Sequence, residues 1–275
     1  MSLERSLKTV KRHPTSLIFA IVGSFILLFT ILTLFNMVFR QLVLEPENLV
    51  KAISDPAVLG SIGLTLYAAS LATVIATILG TPLAYILARH SFPGKNIIES
   101  LVDVPLVIPH IVAGIALYGL LMSKGAVGTA FSNLGVVFED SLWGVVAAMF
   151  FVGAPFFVNA AKEGFQSIDP TTERVARTLG ANQWQAFYRI SLPLALSHIF
   201  SGAIMSWARG VSEFGAIIFI AFYPMIASTL IYYRFTAHGL PASQPVAVLL
   251  IIICFAIFMV LRVSIKRWRR HYARP

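Results

Sequence analysis

The sequence has few charged residues. Asp, Glu, Lys and Arg make up 12% of its 275 residues, whereas hydrophobic residues make up 57%. An average soluble domain carries about twice that share of charge, so this chain cannot cover a water-facing surface in the usual way. The scarcity of charge excludes an ordinary soluble enzyme and indicates a protein that lies in a membrane.

Cysteine is nearly absent as well. Cys254 is the only one, which excludes both a disulfide framework and a cysteine metal site. It lies within an unbroken apolar run, where a small packing residue is expected. The sequence also lacks the G-x-x-x-x-G-K-S/T phosphate loop, so it cannot bind ATP by that route. We therefore expect no catalytic residues, no metal and no bound cofactor in this chain.

Long apolar runs are abundant. A helix needs about 20 apolar residues to cross the hydrocarbon core of a bilayer, and six stretches reach that length. The first run follows four basic residues between Arg5 and Arg12, as a secretory signal would, but it is too long for a signal core and shows no cleavage site. We predict that it is retained. The six predicted spans are 16–39, 59–88, 97–122, 142–161, 194–222 and 245–265.

The basic residues are placed unevenly along the chain. A net charge of +9 would suggest nucleic-acid binding in a soluble protein, but basic residues that flank membrane helices orient them by staying on the cytoplasmic side. With the N-terminus inside, the inside segments hold 16 of the 21 Lys and Arg residues and the outside segments hold four, while Arg209 lies within a span. This bias places both termini in the cytoplasm, and we predict no nucleic-acid partner.

The second predicted span has a small residue at every fourth position over five turns. Such a row lets another helix approach closely, because packing rather than the hydrophobic effect brings helices together in lipid. It predicts a helix–helix interface, within the subunit or between subunits, although alanine is also common in apolar helices in general. The row consists of Ala68, Ala72, Ala76, Gly80, Ala84 and Ala88.

The third predicted span is interrupted by Pro105, Pro109 and Gly114. Proline removes a backbone donor and bends a helix, and the freed carbonyl groups are tolerated at membrane depth only inside protein or beside a water-filled cavity. The segment is therefore a candidate for the wall of a translocation pathway, or else a simple packing kink. His110 could contact a passing anion, or it could make a local hydrogen bond.

The fifth predicted span places two charged residues, Arg209 and Glu213, in an apolar helix. A charge at the membrane centre costs at least about 2.5–3.5 kcal/mol unless it is paired or hydrated. Residues four apart share a helix face, so these two can neutralise each other. Two interpretations follow: a structural ion pair that fixes helix packing, which we favour as a hypothesis, or a charged lining of the pathway.

One polar segment, 169–193, stands out from the apolar surroundings. Asp169 suits a helix N-cap, Pro170 suits the first helical position, and Glu173 in the first turn suits the helix dipole. Gly180 can take the left-handed conformation that ends a helix. Asn182 can then cap a short second helix, so the segment predicts a helix, a sharp turn and another helix.

The short second helix carries aromatic residues, among them Trp184, Phe187 and Tyr188. Exposed apolar surface usually marks a contact site, which favours docking of a soluble partner on the cytoplasmic side. The alternative is an interfacial loop in which Trp184 rests among the lipid headgroups.

The same segment resembles the EAA loop of importer-type ABC transporter permeases: Glu-Ala-Ala, three residues, Gly, nine residues, then Ile-x-Leu-Pro. In this sequence VARTLG is followed by nine residues and then by ISLP. The residues that match the pattern are Ala176, Gly180, Ile190 and the Leu-Pro pair that ends in Pro193. The sequence departs at the first position, where Arg174 replaces the glutamate and Glu173 lies one place early.

The resemblance extends from about residue 57 to 263. It is most specific at GTPLAYILARHSFPGK, DVPLVIPHIVAGIAL and SWARGVSEFGAIIFIAFYPMIASTLIY, which look like molybdate/tungstate permeases, especially archaeal ones. It implies an all-α polytopic membrane protein with the type I ABC importer permease fold, which carries an oxyanion into the cytoplasm across the cell membrane. Sulfate permeases are close relatives and stay an alternative. The resemblance assigns contact with the ATPase to Glu173, Arg174, Ala176, Gly180, Ala181, Asn182, Trp184, Phe187, Ile190 and Pro193.

The implied partners are a second copy of the chain, two cytoplasmic ATPases that hold ATP and Mg, an extracytoplasmic oxyanion-binding protein and membrane lipid. The predicted domains are an N-terminal region with the first helix and an outer loop (1–56), the permease domain (57–263) and a basic cytoplasmic tail (264–275). Within the permease domain, the outer loop 223–245 predicts a short helix that meets the binding protein, lines an outer gate or anchors the neighbouring spans.

Two other classes of transporter compete with an ATP-driven permease. A stand-alone secondary carrier should contain paired inverted repeats with broken helices. The closely spaced prolines of the third span have no clear counterpart in the other half of the chain, and the polar segment would be unexplained. A channel should contain a filter sequence, and none stands out.

Overall fold

A computed structural model describes residues 14–272. For Pro14, Ser16 and residues 264–272 it describes the backbone but not the side chains. The basic residues from Arg5 to Arg12 and the side chains of the predicted tail, 264–275, therefore lie outside the described residues. The described part of the chain is helical and contains no strand. The prediction of an all-α protein is confirmed.

The chain forms long helices separated by short ones, with a π-helical turn after the first helix (Arg40–Leu44) and another at Phe187–Ser191. The helices are α1 (Pro14–Phe39), α2 (Pro46–Ser54), α3 (Pro56–Arg89), α4 (Lys95–Val107), α5 (His110–Leu121), α6 (Gly128–Ser132), α7 (Leu142–Gln166), α8 (Pro170–Thr178), α9 (Gln183–Ala186), α10 (Leu192–Val211), α11 (Ile217–Ile220), α12 (Ala227–His238) and α13 (Leu240–Tyr272).

Among the described residues, five helical stretches are long and apolar enough to cross a membrane on their own. A sixth crossing is possible if α4 and α5, which meet at an angle of 113°, are counted as one broken span. The six predicted spans thus correspond to five continuous stretches and one bent pair. The continuous stretches are Leu17–Leu44, Pro56–Arg89, Leu142–Gln166, Gln183–Val211 and Leu240–Val263.

Helix α7 lies at the centre of the bundle and packs against α3 and α10. Of the 18 most apolar consecutive residues of α7, 61% are buried. The corresponding fraction is 33% or less in each of the other four stretches. A helix that is apolar all round lies either in lipid or in the core of a protein, and the burial of α7 places it in the core. Large side chains such as Met149, Phe157 and Phe165 are fully buried here and fill the space between α7 and its two neighbours.

The row of small residues on α3 lies inside the subunit. Ala68, Ala72, Ala76, Gly80 and Ala84 are all buried, whereas the sixth member, Ala88, is only partly buried. At Gly80 an added Cβ would lie 2.7 Å from the ring of Phe157 on α7. The close helix contact that the row predicts is therefore made with α7 of the same chain.

Helix α3 is fixed at its outer end by two interactions of Asp55. The Asp55 carboxylate accepts a hydrogen bond from the Ala57 backbone N–H at 2.8 Å and so caps the helix. It also forms an ion pair with Arg234 of α12, the short helix predicted within the loop 223–245. The Arg234 guanidinium beside Asp55 and the cap hydrogen bond lower the pKa of this carboxyl group.

The third predicted span is not one kinked helix. Helix α4 ends at Val107, Ile108 is extended (φ −73°, ψ 144°), and α5 begins at His110. A residue before proline is driven out of the helical conformation, so Pro109 separates the two helices. Pro105 is buried within α4, and Gly114 lies inside α5. The prediction that all three residues interrupt the helix was therefore wrong for Pro105 and Gly114.

The fifth predicted span is also discontinuous. Helix α10 ends at Val211, and after five residues the chain forms the single turn α11. The prediction that Arg209 and Glu213 lie in one helix was wrong, because Glu213 follows the end of α10. Its carboxylate accepts a hydrogen bond from the Ala216 backbone N–H at 2.7 Å, which stabilises the irregular chain in place of a helical hydrogen bond.

Candidate functional site

The polar segment 169–193 has the predicted helix, turn and helix. Asp169 caps α8 by accepting a hydrogen bond from the Thr171 backbone N–H at 2.8 Å. Helix α8 ends at Thr178, and Gly180 takes a left-handed conformation with φ +96°. Asn182 caps the one-turn helix α9 in a reciprocal pair with Gln185. The chain then passes through the second π-helical turn into α10.

The turn is held by short-range hydrogen bonds. The Ala181 backbone N–H donates to the Ala176 carbonyl oxygen at 3.0 Å, so two residues named by the resemblance close the turn through their backbones. Arg174 is exposed and donates to Thr171 Oγ1 at 2.9 Å. Ile190 is partly buried and Pro193 is exposed at the start of α10.

Glu173 ties the segment to the rest of the protein. Its carboxylate accepts hydrogen bonds from Arg89 Nε at 2.8 Å, Tyr85 Oη at 2.9 Å and Ser191 Oγ at 2.7 Å. Arg89 also donates from Nη1 to the Ile168 carbonyl oxygen at 3.0 Å. Three parts of the chain meet at this carboxylate: the end of α3, helix α8 and the π-helical turn before α10. Because the glutamate lies one position earlier than in the EAA pattern, the Glu173 side chain faces the rest of the subunit.

Burial and hydrogen bonding act in opposite directions on Glu173. Partial burial raises the pKa of its carboxyl group, whereas the hydrogen bonds from Ser191, Tyr85 and Arg89, together with the charge of Arg89, lower it. The net effect is a pKa below the ordinary value of 4.5. Glu173 is therefore ionised at neutral pH, and this group of side chains acts as a charged tie between helices.

The exposed apolar surface of the segment differs from the predicted one. Trp184 is 71% exposed and stacks on the exposed Tyr188, with ring centroids 6.0 Å apart. Leu179, which was not among the predicted contact residues, is 83% exposed beside the turn. Phe187 packs inward against Tyr85 at a centroid distance of 4.8 Å. Phe187 is partly buried and lies in the π-helical turn after α9 rather than on that helix, so it exposes less surface than predicted, and its contact with the ATPase stays a prediction.

A second polar cluster lies where the two broken spans meet. Arg209 Nη2 is 2.7 Å from Glu213 Oε2, which confirms the predicted pair. The same nitrogen is 2.7 Å from His110 Nε2 at the start of α5, and Arg209 Nη1 donates to Ser212 Oγ at 3.1 Å. Glu213 is 1% exposed, whereas the His110 side chain is 43% exposed. One side of the cluster is therefore sealed and the other is open.

The two breaks pack tightly against each other. A Cβ added at Gly114 of α5 would lie 2.5 Å from the Ala216 carbonyl oxygen, and one added at Gly215 would lie 2.8 Å from His110 Cβ. These two glycines allow α5 to contact the chain between α10 and α11. Of the predicted pathway residues, His110, Gly114, Arg209 and Glu213 come together at this junction, whereas Pro105 is buried in α4.

This arrangement of helices is found in the membrane subunits of ABC importers. The chain superposes on a chain of the bacterial ABC transporter that imports the acidic polysaccharide alginate with a TM-score of 0.71 and 22% identity, covering 96% of this chain and 99% of the other. It also superposes on a chain of the inward-facing MetNI methionine ABC transporter with a TM-score of 0.60 and 16% identity, covering 79% and 96% of the two chains. The predicted type I ABC importer permease fold is confirmed.

Residues 76–270 match the family described as binding-protein-dependent transport system inner membrane component. The chain belongs to this family and is a multi-pass membrane protein. It is 44% identical over 258 residues to the molybdate/tungstate transport system permease protein WtpB of Thermococcus kodakarensis, covering 94% of this chain and 99% of that protein. It is 31% identical over 201 residues to the sulfate transport system permease protein CysT of Escherichia coli, covering 72% and 73%.

Proposed function

We propose that this chain is the membrane-spanning permease subunit of an ATP-driven importer that carries molybdate or tungstate into the cytoplasm. The observation that carries the proposal is the high identity to archaeal permeases named for these anions, 42–44% in three proteins across at least 91% of this chain. Identity to permeases named for sulfate is lower, at 28–32%. Sulfate is therefore the second candidate substrate.

The proposal assigns the energy source to other subunits. The sequence has no phosphate loop, so ATP and Mg would be held by two cytoplasmic ATPases, and the permease itself would carry out no chemical reaction. The family is defined by dependence on a binding protein, which would deliver the oxyanion from outside. Two copies of the chain would enclose the pathway between them.

The surface formed by Leu179, Trp184 and Tyr188, here called the aromatic patch, is the proposed ATPase contact. It is apolar and exposed, and it lies on the side of the membrane to which the basic residues assign the cytoplasm. The Glu173 tie would pass a displacement of this patch to the end of α3. Since α3 packs along α7 through its small residues, movement of the segment would reach the centre of the subunit.

Uptake measured in proteoliposomes tests the transport function. The permease would be reconstituted with its partner ATPase and binding protein, with ATP enclosed in the lumen that the ATPases face. We expect uptake of labelled molybdate or tungstate that requires ATP and that sulfate inhibits weakly. Uptake by the permease alone without ATP would indicate a secondary carrier instead, and equal inhibition by sulfate would indicate a sulfate permease.

Replacement of a single aromatic residue tests the ATPase contact. We expect Trp184→Ala to reduce co-purification of the ATPase, because the side chain is 71% exposed and has no part in the core. Trp143→Ala is the matched control, since Trp143 is also exposed but lies at the start of α7, outside the polar segment. An equal loss in both variants would contradict the assignment.

A further inference from the structure

A cavity of about 170 Å³ opens between the end of α3 and helices α8 and α9. A single water molecule needs only about 10–15 Å³ of such volume, so a small polyatomic ion fits. The cavity is separate from the aromatic patch and from the cluster at Arg209. Its lining consists of Tyr85, Arg89, His90, Pro170, Glu173, Arg174, Arg177, Gln183 and Ala186.

The floor of the cavity contains an arginine with an unused donor. The Arg89 side chain is 8% exposed, and its Nε and Nη1 atoms donate to Glu173 and Ile168. Its Nη2 atom is buried and has no hydrogen-bond partner among the described residues. A buried donor without an acceptor destabilises the protein, and more so when the donor is charged. The site therefore lacks one acceptor.

The charge of the lining calls for an anionic acceptor. Arg89, Arg174 and Arg177 line the cavity, and Glu173 is the only acidic residue among them. Glu173 already accepts hydrogen bonds from three side chains. The Arg177 side chain is exposed and forms no hydrogen bond or ion pair with the described residues. Arg177 is thus left without a counter-charge, whereas Arg174 lies near the carboxylate of Asp169.

We propose that this cavity, here called the arginine cavity, binds one small inorganic oxyanion such as sulfate, phosphate or molybdate. An oxyanion offers several acceptor oxygens to guanidinium groups, whose planar donors suit paired hydrogen bonds. One anion would neutralise Arg177 and lie beside Arg174 and the unpaired Nη2 of Arg89, which a small shift of the Arg89 side chain would bring into contact with it. The bound ion would bridge α3 and α8, the same two helices that the Glu173 tie connects.

The proposal does not require the transport function, and it is tested by binding alone. The probe is labelled sulfate, measured by equilibrium dialysis against the purified full chain in detergent and phosphate-free buffer. We expect saturable binding of one sulfate per chain, displaced by phosphate or molybdate. We expect Arg177→Gln to weaken it about tenfold or more, the usual size for loss of a charged hydrogen bond. Arg177→Gln leaves the Glu173 tie in place, so the fold is not at risk.

Arg189→Gln is the matched control. Arg189 is exposed on the same segment but does not line the cavity, so its loss should leave sulfate binding unchanged. Absence of saturable binding, or equal weakening in both variants, would overturn the proposal. If sulfate binding is lost in phosphatidylglycerol nanodiscs, the proposal is overturned and the cavity binds a lipid phosphate instead. If sulfate binding is lost on assembly with the ATPase, the proposal is overturned and an acidic side chain of that partner fills the cavity. Failure of molybdate uptake would leave these outcomes unaffected.

Discussion

Two carboxylates, Glu173 and Glu213, are each paired with an arginine, but they organise the chain in different ways. Glu173 binds Arg89 and Tyr85, which are more than 80 residues earlier in the sequence. Glu213 binds Arg209, only four residues earlier in the last turn of α10. The first pair connects separate helices and can transmit movement between them. The second pair holds one bend of the chain in place.

The largest effect is expected where the local pair is broken. Arg209→Ala leaves the charge of Glu213 buried without its partner, and breaking a buried ion pair costs about 3–5 kcal/mol. We expect the purified yield and the thermal stability to fall sharply. Exchange of the two residues, Arg209→Glu with Glu213→Arg, should restore assembly if the pair is structural. Normal assembly of Arg209→Ala with complete loss of transport would show instead that Arg209 lines the pathway.

The junction around Glu213 can also be disturbed without a change in charge. A Cβ at Gly114 would lie 2.5 Å from the Ala216 carbonyl oxygen, closer than real Cβ atoms come to other atoms. Because the obstacle is backbone, we expect Gly114→Ala to cost about 1–3 kcal/mol, as overpacking usually does. Gly119→Ala on the same helix, with open space around it, should not lower the midpoint of thermal unfolding. Equal midpoints for the two variants would contradict this close contact.

Breaking the long-range tie should affect coupling more than folding. Glu173→Ala removes the acceptor of three side chains and leaves Arg89 largely buried without its ion pair. We expect a stability loss of about 1–3 kcal/mol and a larger loss of ATP-dependent uptake. Glu163→Ala, in an exposed position at the end of α7, is the control for removal of a carboxylate. Full uptake by the Glu173 variant would argue against the tie as a transmitting element.

The role of the turn between α8 and α9 can be tested against a control glycine that also has a positive φ, so that substitution introduces similar backbone strain at both positions. Gly180 has φ +96° and Gly135, in another loop, has φ +80°, and a Cβ at either position meets nothing within 4 Å. Valine at either position should cost about 1–2 kcal/mol in the left-handed conformation. We expect similar losses of thermal stability, but only Gly180→Val should reduce ATPase co-purification and uptake. Equal uptake in the two variants would contradict the role of the turn in coupling.

The smallest effect concerns acid. The pKa of Glu173 is lower in the folded protein than its ordinary value of 4.5, so the tie stabilises the segment fully above that pH and less as the pH falls further. We expect ATPase co-purification to weaken below about pH 4.5 in the wild type. Glu173→Gln should lack this component of the pH dependence. Identical pH profiles would show that the tie does not titrate in this range.

Local signals in the sequence were sufficient to predict the polar segment. The caps depend on hydrogen bonds to backbone groups no more than three residues away, as at Asp169 and Asn182, and Pro170 and Gly180 need only a suitable backbone conformation of their own. Residue type and spacing were therefore enough to predict the caps and the turn. The long apolar runs were equally informative, since length and composition determine whether a helix can cross a bilayer. The fold class followed from these two kinds of evidence.

Contacts between distant parts of the chain could not be predicted in this way. Nothing in the sequence near Glu173 indicates Tyr85 or Arg89, because such partners depend on how α3 and α8 pack. The inward orientation of Phe187 depends on the same packing. The break at Pro109 was signalled by the proline itself. The break after Val211 was hidden, because apolar residues resume after Glu213 and the predicted span therefore ran on to residue 222.

The length of α3 has a mechanical consequence. Its 34 residues extend about 51 Å at 1.5 Å per residue, whereas the hydrocarbon core of a bilayer is about 30 Å thick. Ion pairs hold both ends of this helix, with Asp55 bound to Arg234 at one end and Arg89 bound to Glu173 at the other. The helix is thus long enough to reach both surfaces of the membrane. A displacement of its cytoplasmic end would therefore be transmitted to α12 on the opposite side, and conformational changes at the two membrane surfaces would be coupled.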